Sequence, residues 1–248
     1  MAEADIKITW MHNRTSLLRL IRRREFLAFA QRRPFIVALS QHHKRQIPVL
    51  LPRAALDVLP HGLGESFRAI TQAVTPPSPR VIFLSQPYRG LSFLLKMWPD
   101  VKASVPSAEL HIFAPKAEQL SQLAGRKIPG VFVRGAVAQP ALAAELRQAR
   151  LVAIPGHADE TFCLAAVEAT ACGVPVVTFG TGALAERVRH GATGFIVKTE
   201  RDYYEHTRRL LTDDALWSAM HALCLSDMSA QPWSHRAAEW EARFFPGD

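Results

Sequence analysis

The sequence predicts an α/β protein built on a doubly wound parallel sheet, with a shorter α/β segment ahead of it. Three observations carry this. From Arg80 onward, short apolar runs alternate with longer stretches of helical periodicity, the pattern of repeated strand–helix–strand units. Runs such as Leu151–Ile154 and Val174–Thr178 are almost continuously apolar, as in strands covered on both faces. Ahead of them, Thr75-Pro76-Pro77-Ser78-Pro79 breaks the pattern and reads as a linker.

Before the linker, residues 6–10 suit a short strand. Residues 15–31 carry Leu17, Leu18, Leu20, Ile21, Phe26, Leu27 and Phe29 among arginines, which predicts one amphipathic helix with a basic face. Pro34 marks a break, Phe35–Leu39 reads as a strand, and residues 55–59 as another that ends at Pro60-His61-Gly62. After the linker, strands are expected at 80–84, 108–113, 130–134, 150–154, 174–178 and 194–197. Helices are expected at 90–104, 116–124, 139–148, 161–172, 183–190 and 200–211, then at 213–226 and 233–245. The implied organisation is a short N-terminal domain over 1–74, a sheet domain over 75–230 and a closing helix over 231–248. A small sheet near 6–10 and 35–39 would leave a strand edge open, which points to self-association or a partner subunit.

Composition narrows the class. Hydrophobic residues make up 48% of 248, enough for a packed core. No apolar run approaches the roughly 20 residues that span a bilayer, and no signal-peptide pattern opens the chain. Cys163, Cys172 and Cys224 form no C-x-x-C pair and read as reduced thiols, so a cytoplasmic protein is expected. The net charge of +8 is concentrated in residues 1–50. There Lys7, Arg14, Arg19, Arg22, Arg23, Arg24, Arg32, Arg33, Lys44 and Arg45 face only Glu3, Asp5 and Glu25. Helix 15–31 is open to three readings: a solvated face, a membrane-surface contact, or nucleic-acid binding, the last disfavoured by sparse aromatics.

The chemistry concentrates in Pro155–Val177. Seven residues separate Glu160 from Glu168. If a helix opens near Glu160, both carboxylates project from one face, while Leu164, Val167 and Ala171 pack on the sheet. The amides of Phe162, Cys163 and Leu164 would then be free at the helix mouth, as an anion site in the crevice past the strand ends.

This segment resembles the E-x7-E motif of retaining GT-B glycosyltransferases, the family 4-like group. Gly173-Val174-Pro175-Val176-Val177, Gly180-Thr181-Gly182-Ala183-Leu184-Ala185-Glu186 and Gly191-Ala192-Thr193-Gly194-Phe195 extend the resemblance, as do Arg89-Gly90-Leu91 and Pro106–His111 upstream. It covers roughly residues 55–245. It implies a GT-B-like fold, with one complete Rossmann-like domain and a truncated N-terminal α/β half-domain that lacks the opening strands of the acceptor side. It also implies a closing helix that crosses back to that half-domain.

The resemblance implies transfer of a sugar from a nucleotide diphosphate sugar to a glycan or lipid-linked acceptor, at or near the inner membrane face. The alternative is a non-catalytic or split-enzyme subunit that binds the sugar nucleotide and needs a partner. Arg89 would offset charge on the departing diphosphate, in a loop that has one base where the family more often has two. Glu168 would accept from ribose hydroxyls, Glu160 would contact the donor sugar near the reacting carbon, and Gly135 would lie where the nucleobase packs. Phe162, Cys163 and Leu164 would line the donor site, Cys163 by packing. Glu186 would orient the donor loop or serve as a helix-start acid. His12 would be an acceptor-side residue or a structural histidine. No resident cofactor is expected, and no metal, because the chain has no Asp-x-Asp motif or spaced ligand set.

Overall fold

The structure, a computed structural model, describes residues 7–68, 75–114, 128–227 and 229–246. The expected helix at 116–124 lies outside these residues.

The first sheet has three parallel strands, β1 (Ile8–Trp10), β2 (Phe35–Ala38) and β3 (Ala55–Val58), in the order β1-β2-β3. Alternation along the strands decides what covers each face. Ile36 and Ala38 join Met11, Leu20, Ile47 and Leu51 on one side, under helices α1 (Leu17–Arg22), α2 (Glu25–Arg32) and α3 (Gln41–Gln46). Trp10, Phe35 and Asp57 face the other side, where they meet α10 (Trp233–Phe244). Trp240 lies 5.0 Å from Trp10, Phe244 lies 4.8 Å from Phe35, and Arg243 pairs with Asp57 at 2.5 Å.

Two expectations change here. Residues 15–31 form two helices rather than one, with Arg24 between them in the left-handed region at φ 57°. Leu20 and Phe26 are six residues apart, so at about 100° per residue a continuous helix could not aim both at the same core. Repulsion among Arg19, Arg22 and Arg23 at helical spacing also favours the break. Secondly, β2 is the central strand, so the open edges belong to β1 and β3. Helix α3 was not among the expected helices.

The second sheet has six parallel strands: β4 (Arg80–Leu84), β5 (Glu109–Phe113), β6 (Val131–Val133), β7 (Leu151–Ala153), β8 (Val176–Thr178) and β9 (Gly194–Ile196). Their order is β6-β5-β4-β7-β8-β9, so the chain runs outward from β4 in one direction and from β7 in the other. Helices α4 (Leu91–Ser104), α8 (Glu200–Thr212) and α9 (Asp214–Leu225) contribute to the core on one face, with Val81, Phe83 and Trp98 fully covered. Helices α5 (Gln139–Leu146) and α6 (Leu164–Ala171) cover Ile82, Val152 and Ile154 on the other. Tyr203 is fully buried on α8 and donates its hydroxyl to the Val177 carbonyl at 2.8 Å. The expected helix 183–190 shrinks to one turn, α7 (Leu184–Arg187). Among the described residues no helix is long and apolar enough to cross a membrane.

In a doubly wound sheet the crevice lies beyond the strand ends where the order reverses. Here that point lies between β4 and β7. The loop after β4 carries Arg89, and the loop after β7 carries Glu160.

Candidate active site

A cavity of about 320 Å³ opens at this point, lined by Arg89, Glu160 and Glu168 from the second sheet and by His12, Leu39 and His61 from the first. Phe162, Cys163 and Leu164 also line it.

Arg89 ends the single 3-10 turn Pro87–Arg89, closed by Gly90 at φ 108°. The turn lays the guanidinium along Tyr88, with the carbon centre 5.6 Å from that ring and Nε donating to the hydroxyl at 3.3 Å. Its Nη1 pairs with Glu160, whose side chain is 6% exposed. Burial works against the charge on Arg89, but the Glu160 carboxylate together with Tyr88 and Cys163 outweighs it and leaves the pKa above the ordinary value.

Glu160 does not begin the helix. Cys163 adopts a left-handed conformation at φ 65°, so α6 starts only at Leu164 and Glu160 sits in the turn ahead of it. Its second oxygen accepts from the Cys163 amide at 3.1 Å. The expected anion site at Phe162–Leu164 therefore shifts, because the Cys163 amide is spent on Glu160. Among the described residues the Leu164 and Ala165 amides have no acceptor, and both residues line the cavity. The two glutamates still meet in one cavity, through the turn rather than through a shared helix face.

Glu168 lies one turn into α6, half-buried. Burial raises its pKa to about 7, and among the described residues its carboxylate has no hydrogen-bond partner. The Cys163 thiol is pushed up by burial, first of all, and by Glu160, which leaves it a packing residue rather than a nucleophile. Phe162 is stacked by Arg187, 4.7 Å from its centroid.

The opposite wall is histidine-rich. His12 follows β1 and stacks on His61 with centroids 5.1 Å apart and planes at 29°. The His12 carbonyl accepts from the Thr161 hydroxyl at 2.7 Å, and the Ser40 hydroxyl donates to the Thr161 carbonyl at 2.7 Å. The turn that bears Glu160 is thus bonded on both sides to the first sheet. His61 was not singled out from the sequence as a site residue. Its only signal was Pro60-His61-Gly62 at a strand end. Burial, then the nearby His12, lowers its pKa to about 4, so it is neutral near pH 7.

Two expected donor contacts lie elsewhere. Glu186 accepts from the amides of Gln41 at 3.0 Å and His42 at 2.5 Å, and pairs with Arg45 at 3.8 Å. It caps α3 of the first sheet because α7 aims its first turn across the interface. Gly135 follows β6 at φ 72°, outside the cavity, with open space around it. Among the described residues no three His, Cys, Asp or Glu side chains converge as a metal-ligand set.

Two parallel sheets facing across a cavity, with the second wound about β4 and β7, define a GT-B-like architecture. Residues 78–213 match the family described as Glycosyl transferases group 1, and the chain belongs to it. It is 39% identical over 133 residues to a D-inositol 3-phosphate glycosyltransferase of Catenulispora acidiphila, covering 52% of this chain and 31% of that one. Across three such glycosyltransferases the chain spans between 31% and 46% of their length. Among solved structures, TarM of S. aureus superposes at TM-score 0.76 and 13% identity, over 97% of this chain and 50% of TarM. HepE of Anabaena, in complex with UDP and glucose, superposes at TM-score 0.72 and 18% identity, over 95% of this chain and 70% of HepE.

Proposed function

We propose that this chain binds the donor in a retaining, family 4-like glycosyltransferase, which moves a sugar from a nucleotide diphosphate sugar to a glycan or lipid-linked acceptor. One observation carries the reading. Glu168, a carboxylate with no hydrogen-bond partner among the described residues, and Arg89, a partly buried guanidinium, line one cavity at the reversal point of the sheet. A ribose offers two adjacent hydroxyls, and an ionised carboxylate accepts from both. A diphosphate offers the negative charge that Arg89 and the Leu164 and Ala165 amides are placed to receive. HepE, whose structure holds UDP and glucose, shares the fold.

In this reading Glu160 holds Arg89 toward the diphosphate and contacts hydroxyls of the donor sugar. The bond from the anomeric carbon to the phosphate oxygen breaks. The acceptor oxygen bonds to that carbon on the same face, and the departing phosphate takes the acceptor proton. Arg89 and the helix amides stabilise the charge that grows on the leaving group. His12 and His61 form the acceptor-side wall, and no resident cofactor or metal takes part. The exposed Leu18, Ile21 and Leu27, set among arginines of α1 and α2, suit contact with an anionic membrane on the cytoplasmic side.

The test is thermal stabilisation of the chain by UDP-, GDP- and ADP-linked sugars. A ligand at a hundred times its Kd adds about 2.7 kcal/mol. The reading requires a shift with at least one nucleotide sugar, and loss of that shift in Glu168→Ala. No shift with any of them would overturn it.

A further inference from the structure

A second recess, of about 360 Å³, adjoins the donor cavity and shares Arg89 with it. Its other walls are Asn13, Arg14 and Arg19 of the first sheet's lobe and Tyr88 and Asp159 of the second. Arg14 pairs with Asp159 at 3.0 Å, and both side chains are about half exposed. The guanidinium of Arg19 has no carboxylate partner among the described residues. Glu160 is committed to Arg89. Three arginines, Arg14, Arg19 and Arg89, therefore line the recess against one carboxylate of its own, Asp159.

We infer that Arg14 and Arg19 form a subsite for a phosphate group of the acceptor. This rests on the sugar-transfer reading. The segment Asn13–Arg19 follows His12 directly, so a molecule seated there reaches the donor cavity past Arg89. Guanidinium groups suit phosphate because their planar forks donate two parallel hydrogen bonds. Asp159 holds Arg14 in the meantime, and an exposed pair of this kind is weak enough for a phosphate to displace. The phosphate could arrive on a soluble molecule or as a lipid headgroup, and the chemistry at the arginines is the same.

The chain is first saturated with the nucleoside diphosphate that stabilises it most, so that Arg89 and the helix amides are occupied. Glycerol 3-phosphate and glycerol are then titrated calorimetrically, and vesicles of phosphatidylglycerol or phosphatidylcholine are co-sedimented. We expect glycerol 3-phosphate or phosphatidylglycerol vesicles to bind, and their neutral counterparts not to. Binding to glycerol 3-phosphate identifies a soluble source, and binding to the vesicles alone identifies a headgroup. Arg14→Gln with Arg19→Gln should weaken that binding at least tenfold and leave nucleotide affinity unchanged. Asp159→Asn should tighten it several-fold, a gain that misfolding cannot imitate. Phosphate binding that survives the double variant, or no phosphate binding in either arm, overturns the subsite. If no nucleotide binds but phosphate binding still depends on Arg14 and Arg19, the subsite stands and the sugar-transfer reading falls.

Discussion

The two walls of the cavity are built differently. Arg89 and Glu160 come from the loops that follow β4 and β7, and Glu168 comes from the helix α6 that continues the second of these. His12 and His61 come from the first sheet, 49 positions apart in sequence, and face each other only because β1 and β3 flank β2. The second sheet's wall, the donor wall of the proposed reading, is a product of local strand–loop–helix units, whereas the first sheet's wall, the acceptor wall of that reading, depends on long-range pairing. Changes on the donor wall should therefore act through charge and hydrogen bonds at the site itself. Changes on the acceptor wall should act through how the two sheets are held together.

The sharpest test of the donor wall is Arg89→Ala. It leaves the buried Glu160 carboxylate without its ion partner. Losing one member of a buried pair costs about 3–5 kcal/mol, and the partial exposure of Arg89 places this case near the low end. Urea unfolding should show a loss of about 3 kcal/mol. Affinity for a nucleoside diphosphate should fall much more than affinity for the bare nucleoside. An equal loss for both ligands would show that Arg89 does not touch phosphate.

Glu168→Ala should come next. It should leave the fold intact and weaken nucleotide binding by about 1.5–3 kcal/mol, the range for hydrogen bonds to a charged group. Ribose hydroxyls favour the ionised carboxylate, and burial holds its pKa at about 7. Affinity for a nucleotide sugar should therefore rise with pH up to about 7 and level off above it. Glu168→Gln should flatten that profile. A wild-type profile that is already flat would remove Glu168 from the ribose.

These two residues also mark how far the sequence could be read. Strands such as Leu151–Ala153 were legible because continuous apolar runs between turn signals leave few alternatives. Glu160 and Glu168 were found, but their setting was misjudged. Nothing in the residue pattern announces that Cys163 will turn left-handed and delay the helix. Glu186, after its Gly-x-Gly turn, was expected to orient the donor loop or to serve as a helix-start acid, and it does lie in the first turn of α7. Its carboxylate serves amides 145 and 144 residues away, and such a contact has no local signal. Helix α3 is a related case, with only its Ser40 cap visible locally. Six residues are too few to be helical alone, and α3 exists because Ser40 and Glu186 satisfy its first amides.

The acceptor wall is tested through that contact. Glu186→Ala removes the acceptor for the Gln41 and His42 amides, and loss of a helix-start cap costs about 1 kcal/mol. Hydrogen exchange at Gln41 and His42 should speed up, while nucleotide affinity should stay the same. If the variant loses nucleotide binding with α3 still protected, Glu186 belongs to the donor wall after all.

A last test, read from differences in pH dependence, pits one wall against the other. His61 has a pKa of about 4 in the fold against an ordinary 6.5. The unfolded chain binds that proton first, so this group costs stability as pH falls from about 6.5 toward 4. Glu168 has a pKa of about 7 against an ordinary 4.5. The folded chain keeps that proton longer, so this group costs stability as pH rises from about 4.5 to 7. The two slopes oppose each other across nearly the same window, and their sum in the wild type should be small. Burial also lowers His43, His111 and His206, but these contribute equally to every variant and cancel in a comparison. Glu168→Gln should therefore lose more stability than the wild type on acidification. His61→Gln should lose less. Urea midpoints measured between pH 4.5 and 7.5 would show the two variants diverging to opposite sides of the wild type. If both run parallel to it, burial at the cavity perturbs neither group, and the contrast between the walls is one of origin in the chain rather than of electrostatics.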